Sequence, residues 1–165
     1  MVWTLPANAP KTSGEAFAYV GTLKDGCTVD GLKILALAEA LGLELYKCLA
    51  EGTDHPEVKK LLLENGHEEL KHGQRVAKAL EILTGQPHPL PPIDKNPIYT
   101  PMDPMPVTRA SLNKLSESEF GGEALYAGIA ASFDNPEVIA LFRLNGAEEL
   151  GHGRRLQQAA TLLPE

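Results

Sequence analysis

Only two cysteines, Cys27 and Cys48, occur among the 165 residues, so neither a four-cysteine metal knot nor a disulfide framework can be assembled within one chain. If both lie on or beside one helix, their 21-residue separation corresponds to roughly 30 Å, too far for a bridge. Both are read as small buried apolar groups. Aromatic residues make up only 5%, which leaves the core to Leu, Ala, Val and Ile and favours helices packed on helices. No apolar run approaches the roughly 18 residues that a membrane span needs, and the start MVWTLPANAPKTSGEAF lacks the basic-then-apolar layout of a secretory signal. A cytoplasmic protein without membrane contact is expected. Basic residues are in the minority, 15 Lys and Arg against 22 Asp and Glu, and a net charge of −7 repels a phosphate backbone, which argues against nucleic acid as partner.

What the chain does have is a repeat. The segment DHPEVKKLLLENGHEELKHGQR from Asp54 returns as DNPEVIALFRLNGAEELGHGRR from Asp134, and EALGLELYKCLA from Glu39 returns as EFGGEALYAGIA from Glu119. The two units, residues 27–84 and 107–164, share about 23 of 58 positions. A unit of that size cannot bury its apolar face alone. A single domain over residues 27–165 is therefore expected, preceded by an extension over 1–26 whose placement does not follow from its sequence.

Each unit reads as an antiparallel helical hairpin. Leu32, Leu35, Ala36, Glu39, Leu43, Tyr46 and Ala50 follow the i, i+3, i+4, i+7 spacing of one helix face. Thr28 or Asp30 is suited to cap that helix and Gly52 to close it, and Asp54 ahead of Pro56 supplies a capping side chain and a first-turn proline for the next. Leu62, Gly66, Glu69, His72, Gly73 and Val76 then share a face until Gly85. Between the units, residues 85–106 carry eight prolines, which forbid regular helix. This segment is expected to be an extended crossover that takes the chain the full length of the bundle, about 30 Å, between two hairpins of the same orientation.

The second helix of each hairpin carries Glu-x-x-His, Glu69 to His72 and Glu149 to His152, a spacing that sets a carboxylate and an imidazole on one face. Glu39 and its mate Glu119 stand on the face expected to be buried. With the first turn near residue 53, Glu39 lies about as far before it as Glu69 lies after, so antiparallel helices bring the two to one level. Four carboxylates and two imidazoles converging in a core need neutralisation, and a pair of divalent cations supplies it. A Glu from each of two helices with a Glu-x-x-His from each of the other two is the pattern of dinuclear carboxylate bundles.

On these residues the sequence resembles the rubrerythrin and bacterioferritin type of di-iron protein, in the ferritin-like superfamily, over about residues 27 to 164. The resemblance implies an all-α, ferritin-like four-helix bundle holding two metal ions per chain, iron first and manganese second. In it Glu39 and Glu119 are terminal ligands, Glu69 and Glu149 bridge the metals, and His72 and His152 each cap one. It also implies O2- or H2O2-dependent redox chemistry of the peroxidase or ferroxidase kind, an external electron donor in place of a rubredoxin module, and a homodimer. Manganese catalase-like chemistry, oxygenation of an organic substrate and a non-enzymatic metal-stabilised bundle are the alternatives. Tyr46 and Tyr126, seven residues after Glu39 and Glu119 on the same face, are candidates to hydrogen-bond a ligand or to pass an electron. The extra glutamate that rubrerythrins place three residues after the third-helix ligand falls here on Gly122. Arg75 and Arg155, three residues after the histidines, are expected to be solvated charges rather than partners of Glu68 and Glu148.

Overall fold

Thr28 begins the first long helix as expected: its backbone is extended and its hydroxyl accepts the Gly31 N–H at 3.2 Å. In the computed structural model, which describes residues 3–165, that helix is the second of six α-helices. In chain order they are α1 (Ser13–Val20), α2 (Val29–Glu51), α3 (Pro56–Thr84), α4 (Arg109–Phe120), α5 (Gly122–Ala130) and α6 (Pro136–Thr161). No strand occurs among the described residues, and the protein is all-α. The helix-to-helix turn after Gly52 differs from expectation by one residue. His55, not Asp54, caps α3, accepting the Val58 N–H on its ring Nδ1 at 3.4 Å, and Asn135 does the same for α6 with its side-chain oxygen. Pro56 and Pro136 follow at the first helical position, where a missing N–H costs nothing. Gly85 ends α3 in the left-handed conformation, φ 67°, and donates its N–H to Glu81.

The third segment of the bundle-like arrangement is not one helix. After a capping box of Thr108 and Ser111, α4 runs to Phe120, and Gly121 interrupts the helix before α5 begins at Gly122. Two successive glycines favour such a break, because each loses more backbone freedom in a helix than any other residue does.

The long helices α2, α3 and α6 pack together, with α4 and α5 against α6. Two apolar layers result. One joins Leu32, Leu35, Val76, Leu80, Tyr126, Ile129 and Phe142, and the other joins Leu49, Leu62, Leu112, Leu156 and Ala159. The start of α2 thus meets the ends of α3 and α5 and the start of α6, while the end of α2 meets the starts of α3 and α4 and the end of α6. So α2 and α6 run one way and α3, α4 and α5 the other. The two helix pairs point in opposite directions, not the same one, and this opposition is what makes the connection cross from end to end. Between the apolar layers lies the polar level at which Glu39, Glu69, Glu119 and Glu149 sit.

The crossover is more than a spacer. It makes one short turn at Ile93–Lys95, buries Ile98 completely, and donates an Asn96 amide N–H to the Leu37 carbonyl at 3.0 Å. It also anchors α1: Ser13 and Thr100 exchange hydrogen bonds, and α1 lies on α2. Ala16, Leu37, Ala38, Leu41 and Ile98 form a further apolar cluster there. Residues 34 to 42 of α2 are consequently all buried, which is why ILALAEALG is apolar all round instead of along one stripe. Phe142 is fully buried and stacks on Tyr126 at 6.3 Å, so Phe142→Ala is expected to cost about 3–5 kcal/mol, read as a fall in the denaturation midpoint. No helix among the described residues is long and apolar enough to cross a membrane.

Candidate metal centre

Four helical segments contribute to one polar level: α2 brings Glu39, α3 brings Glu69 and His72, α4 brings Glu119 and α6 brings Glu149 and His152. Their ligand atoms form two overlapping groups, each compact enough to surround an ion. One is Glu39, Glu69, His72 and Glu149, and the other is Glu69, Glu119, Glu149 and His152. Glu69 and Glu149 belong to both. All six residues singled out from the sequence therefore meet at one place. Both histidines are fully buried, and Glu39, Glu69 and Glu149 are less than a tenth exposed. Glu119, next to the helix break, is 13% exposed at its side chain.

The imidazoles decide what the cluster can do. Each presents Nδ1 to the carboxylates: His72 Nδ1 lies 3.2 Å from Glu149, 3.5 Å from Glu69 and 3.8 Å from Glu39. His152 Nδ1 lies 3.1 Å from Glu69, 3.4 Å from Glu149 and 3.6 Å from Glu119. Close as these oxygens are, none is aligned for a hydrogen bond, and these two Nδ1 atoms are the buried side-chain polar atoms without a partner among the described residues. A buried ring nitrogen left so is costly. Oxygens and nitrogens that face a common centre without bonding one another are the arrangement of a ligand set.

The far side of each ring is firmly held. His72 Nε2 is 3.0 Å from Glu148, which receives both arms of Arg75 at 2.5 and 3.0 Å, and Arg75 also donates to Asn145. His152 Nε2 is 3.1 Å from Glu68, which accepts from Arg155, and Arg155 donates to Asn65 at 2.5 Å. Asn65 and Asn145 close the circuits by donating to the backbone oxygens of His152 and His72. The arginines are thus paired across the helix interface, Arg75 with Glu148 and Arg155 with Glu68, and are not the solvated charges expected. At the centre of a helix pair, a carboxylate next to a guanidinium is held where water would otherwise have to solvate both. Asn65 and Asn145 escaped sequence reasoning; the available signal was that they are identical 80 residues apart on a buried face.

Tyr46 and Tyr126 are both buried and both bond a cluster carboxylate, but across the bundle. Tyr46 donates to Glu119 at 2.6 Å and Tyr126 to Glu39 at 2.8 Å. Burial first, then the neighbouring carboxylates, push both phenols well above their ordinary pKa, so they remain donors.

Without metal the cluster sorts its protons unevenly. Burial, reinforced by Glu69, raises Glu39 well above the usual carboxylate range, and burial raises Glu119 to about 8. Burial would also raise Glu69 and Glu149, but the two imidazoles override it and hold both low. The histidines are pushed up to about 10 and about 12, desolvation being outweighed by the carboxylates. The remaining histidines stand apart: His55 caps α3, exposed His67 contacts the Leu63 carbonyl, and His88 packs edge-on to Trp3. Cys27 is buried and its thiol is raised to about 12 by desolvation, while Cys48 is half-buried; both are free. Glu68→Gln and Glu148→Gln remove the acceptors that orient the imidazoles. Each is expected to weaken metal binding by about 10–100-fold, checked by competition with a chromophoric chelator.

A cleft of about 490 Å³ opens onto this centre from the side of α1. Its floor is Glu39, Glu69, Glu119 and Glu149, and Gly42 and Gly122 lie beside them. Comparison of the chain with protein-family models, with curated proteins and with solved structures finds no match.

Proposed function

We propose that the cluster is a dinuclear centre of the ferritin-like kind, binding two metal ions per chain, iron first and manganese second. In this reading Glu69 and Glu149, which belong to both groups, would serve both ions, while Glu39 with His72 and Glu119 with His152 would each hold one, the histidines through Nδ1. The observation that carries it is the pair of buried Nδ1 atoms that bond nothing and face four carboxylates shared between two overlapping groups. Carboxylate and imidazole donors suit iron and manganese alike. The sequence resemblance and the hairpin-to-hairpin correspondence of the contacts support the four-helix, duplicated reading of the fold.

Bound there, such a pair of ions would supply two-electron redox chemistry toward O2 or H2O2, one electron from each ion, with an external donor returning two electrons to restore the reduced state. The chain's own residues set the conditions. Glu148 and Glu68 fix the tautomer and angle of each imidazole, and Tyr46 and Tyr126 hold protons at Glu119 and Glu39. A side chain three residues after Glu119, the place of the extra glutamate in rubrerythrins, has no room: a Cβ at Gly122 would meet Glu149 Cγ at 2.5 Å. The six-residue set therefore supports a bacterioferritin-like ligand arrangement over a rubrerythrin-like one.

An anaerobic Fe(II) titration of metal-free protein tests the reading, followed by O2 and, separately, H2O2. About two ions per chain are expected, with rapid oxidation, and Glu69→Ala combined with Glu149→Ala should abolish both. Uptake that the double variant leaves unchanged would sink the assignment. The faster oxidant separates oxygen chemistry from peroxide chemistry.

A further inference from the structure

The cleft above the cluster has a wall that a metal-entry route does not need. Its lining beyond the four carboxylates comes from α1, α2, α4 and α5, and the side chains that shape it are Phe17, Val20, Leu45, Leu115 and Leu125. All five are only half-buried, so their apolar faces look into the opening. Ser118 at the rim and Tyr46, whose hydroxyl is already committed to Glu119, are the other polar side chains of the lining. No Lys, Arg or His takes part, so nothing in the lining recognises a carboxylate or phosphate headgroup, and no acidic funnel leads a cation inward from the mouth. At about 490 Å³ the cleft lies within the range of about 300–1,000 Å³ usual for small-molecule sites.

Two features aim this cleft at the centre. Glu69 and Glu149 stand on α3 and α6 yet reach its floor, because Gly42 and Gly122 leave open the space between them and the opening. The wall formed by Phe17, Val20 and Gly21 comes from α1 and the residue that caps its C-terminus, and α1 is held in place by the crossover through Ser13 and Thr100. Phe17, Val20 and Gly21 thus wall the cleft on the side away from α4 and α5.

We infer that the cleft is a binding site for a neutral, apolar organic molecule, held between Phe17, Leu45, Leu115 and Leu125 against the carboxylate face of the cluster. The inference rests on the dinuclear reading for its chemistry and names the class of substrate which that centre takes. It favours an organic substrate over bulk iron as the molecule brought to the site.

Binding is tested on the full chain loaded with Zn(II), which is redox-inert, using 4-fluorotoluene as probe and 19F NMR as readout, with bound zinc counted in parallel. One saturable site per chain is expected, with a dissociation constant below about 1 mM. Leu115→Trp and Leu45→Trp, which fill the cleft from opposite walls, should each weaken the probe at least tenfold while zinc remains near two per chain. Two variants keep the test alive if one fails to fold. Benzamidine and phenyltrimethylammonium, charged, of similar size and unable to coordinate zinc as cations, should bind at least tenfold more weakly than the neutral probe. Loss of saturable binding in the zinc-loaded protein, equal binding of the charged probes, or indifference to both tryptophans would overturn the inference. So would a dimer by sedimentation that excludes the probe and that Leu115→Trp dissociates, since a second copy would then be the occupant. A chain that takes up no zinc overturns the dinuclear reading, whereas one that holds two ions but no probe overturns the cleft assignment alone.

Discussion

Loading the centre with two divalent ions at pH 7 is expected to expel about four protons per chain. With both imidazoles, Glu39 and Glu119 raised and Glu69 and Glu149 held low, the metal-free cluster is expected to carry one added proton on each imidazole and one each on Glu39 and Glu119, with Glu69 and Glu149 ionised. Two positive and two negative charges then cancel, so the empty cluster is neutral. Two divalent ions with four carboxylates and two neutral imidazoles are neutral as well. Binding is therefore an exchange of four protons for two ions, and neither state buries a net charge. At about two protons per ion, apparent affinity should rise about 100-fold for each unit of pH near neutrality. Titration calorimetry in buffers of differing ionisation enthalpy counts the protons directly, and a count near zero would contradict the cluster's protonation.

The same linkage makes stability depend on pH in opposite senses with and without metal. Each histidine's pKa is raised from 6.5, so its contribution to the metal-free fold is complete below 6.5 and is lost as pH climbs through about 10 and about 12. Glu119 is raised from 4.5 to about 8, and Glu39 is raised too, so their protonated burial costs progressively more above 4.5. Glu69 and Glu149 are lowered, and their contribution fades as pH falls below 4.5. Metal-free protein should be most stable near pH 4.5, weaken as pH rises from there and weaken more steeply above 6.5, while metal-loaded protein should gain on it as pH rises. Denaturant midpoints of chelator-treated and zinc-loaded protein from pH 5 to 9 compare the two.

Gly122→Ala and Gly42→Ala are expected to weaken metal binding at the cluster at least tenfold while leaving the fold standing. A Cβ at residue 122 would lie 2.5 to 2.9 Å from Glu149 Cγ, Cβ and Cδ, and one at residue 42 would lie 2.7 Å from Glu69 Cβ and Cγ. Contacts that involve Cβ cannot be relieved by swinging the carboxylate alone, so each alanine displaces the shared ligand. Replacing a helical glycine by alanine gains up to about 1 kcal/mol in propensity, against about 1–3 kcal/mol for overpacking. The net effect on stability is therefore small, within about 2 kcal/mol. The effect on metal is expected to be large, because the displaced glutamate belongs to both ligand groups and in the dinuclear reading would serve both ions: binding should fall at least tenfold. Equilibrium unfolding of the metal-free variants beside their zinc stoichiometry separates the two effects. Loss of both together would mean that the glycines serve packing only.

Much of this centre was visible in the order of residues. Two Glu-x-x-His pairs 80 residues apart, each with a glutamate 30 residues upstream, name six side chains that a helix's periodicity alone sets on inward faces. The helix ends were equally plain, at Thr28, Gly52, Pro56 and Gly85, because capping is a matter of neighbouring residues. The orienting circuits were not. Arg75 meets Glu148 and Tyr46 meets Glu119 across more than 70 residues, and nothing local distinguishes an arginine that reaches a neighbouring helix from one that reaches water.

The sequence by itself determined that the chain is helical, where its long helices begin and end, and which glutamates and histidines share a level, since each follows from spacing along one helix or from antiparallel register. Tertiary structure alone decided the rest. It set the opposed directions of the two helix pairs, the break at Gly121, the position of α1 over α2 and the apolar cleft that this position walls. These depend on which faces meet in space, and contacts between segments 70 to 90 residues apart leave no periodic trace in either segment.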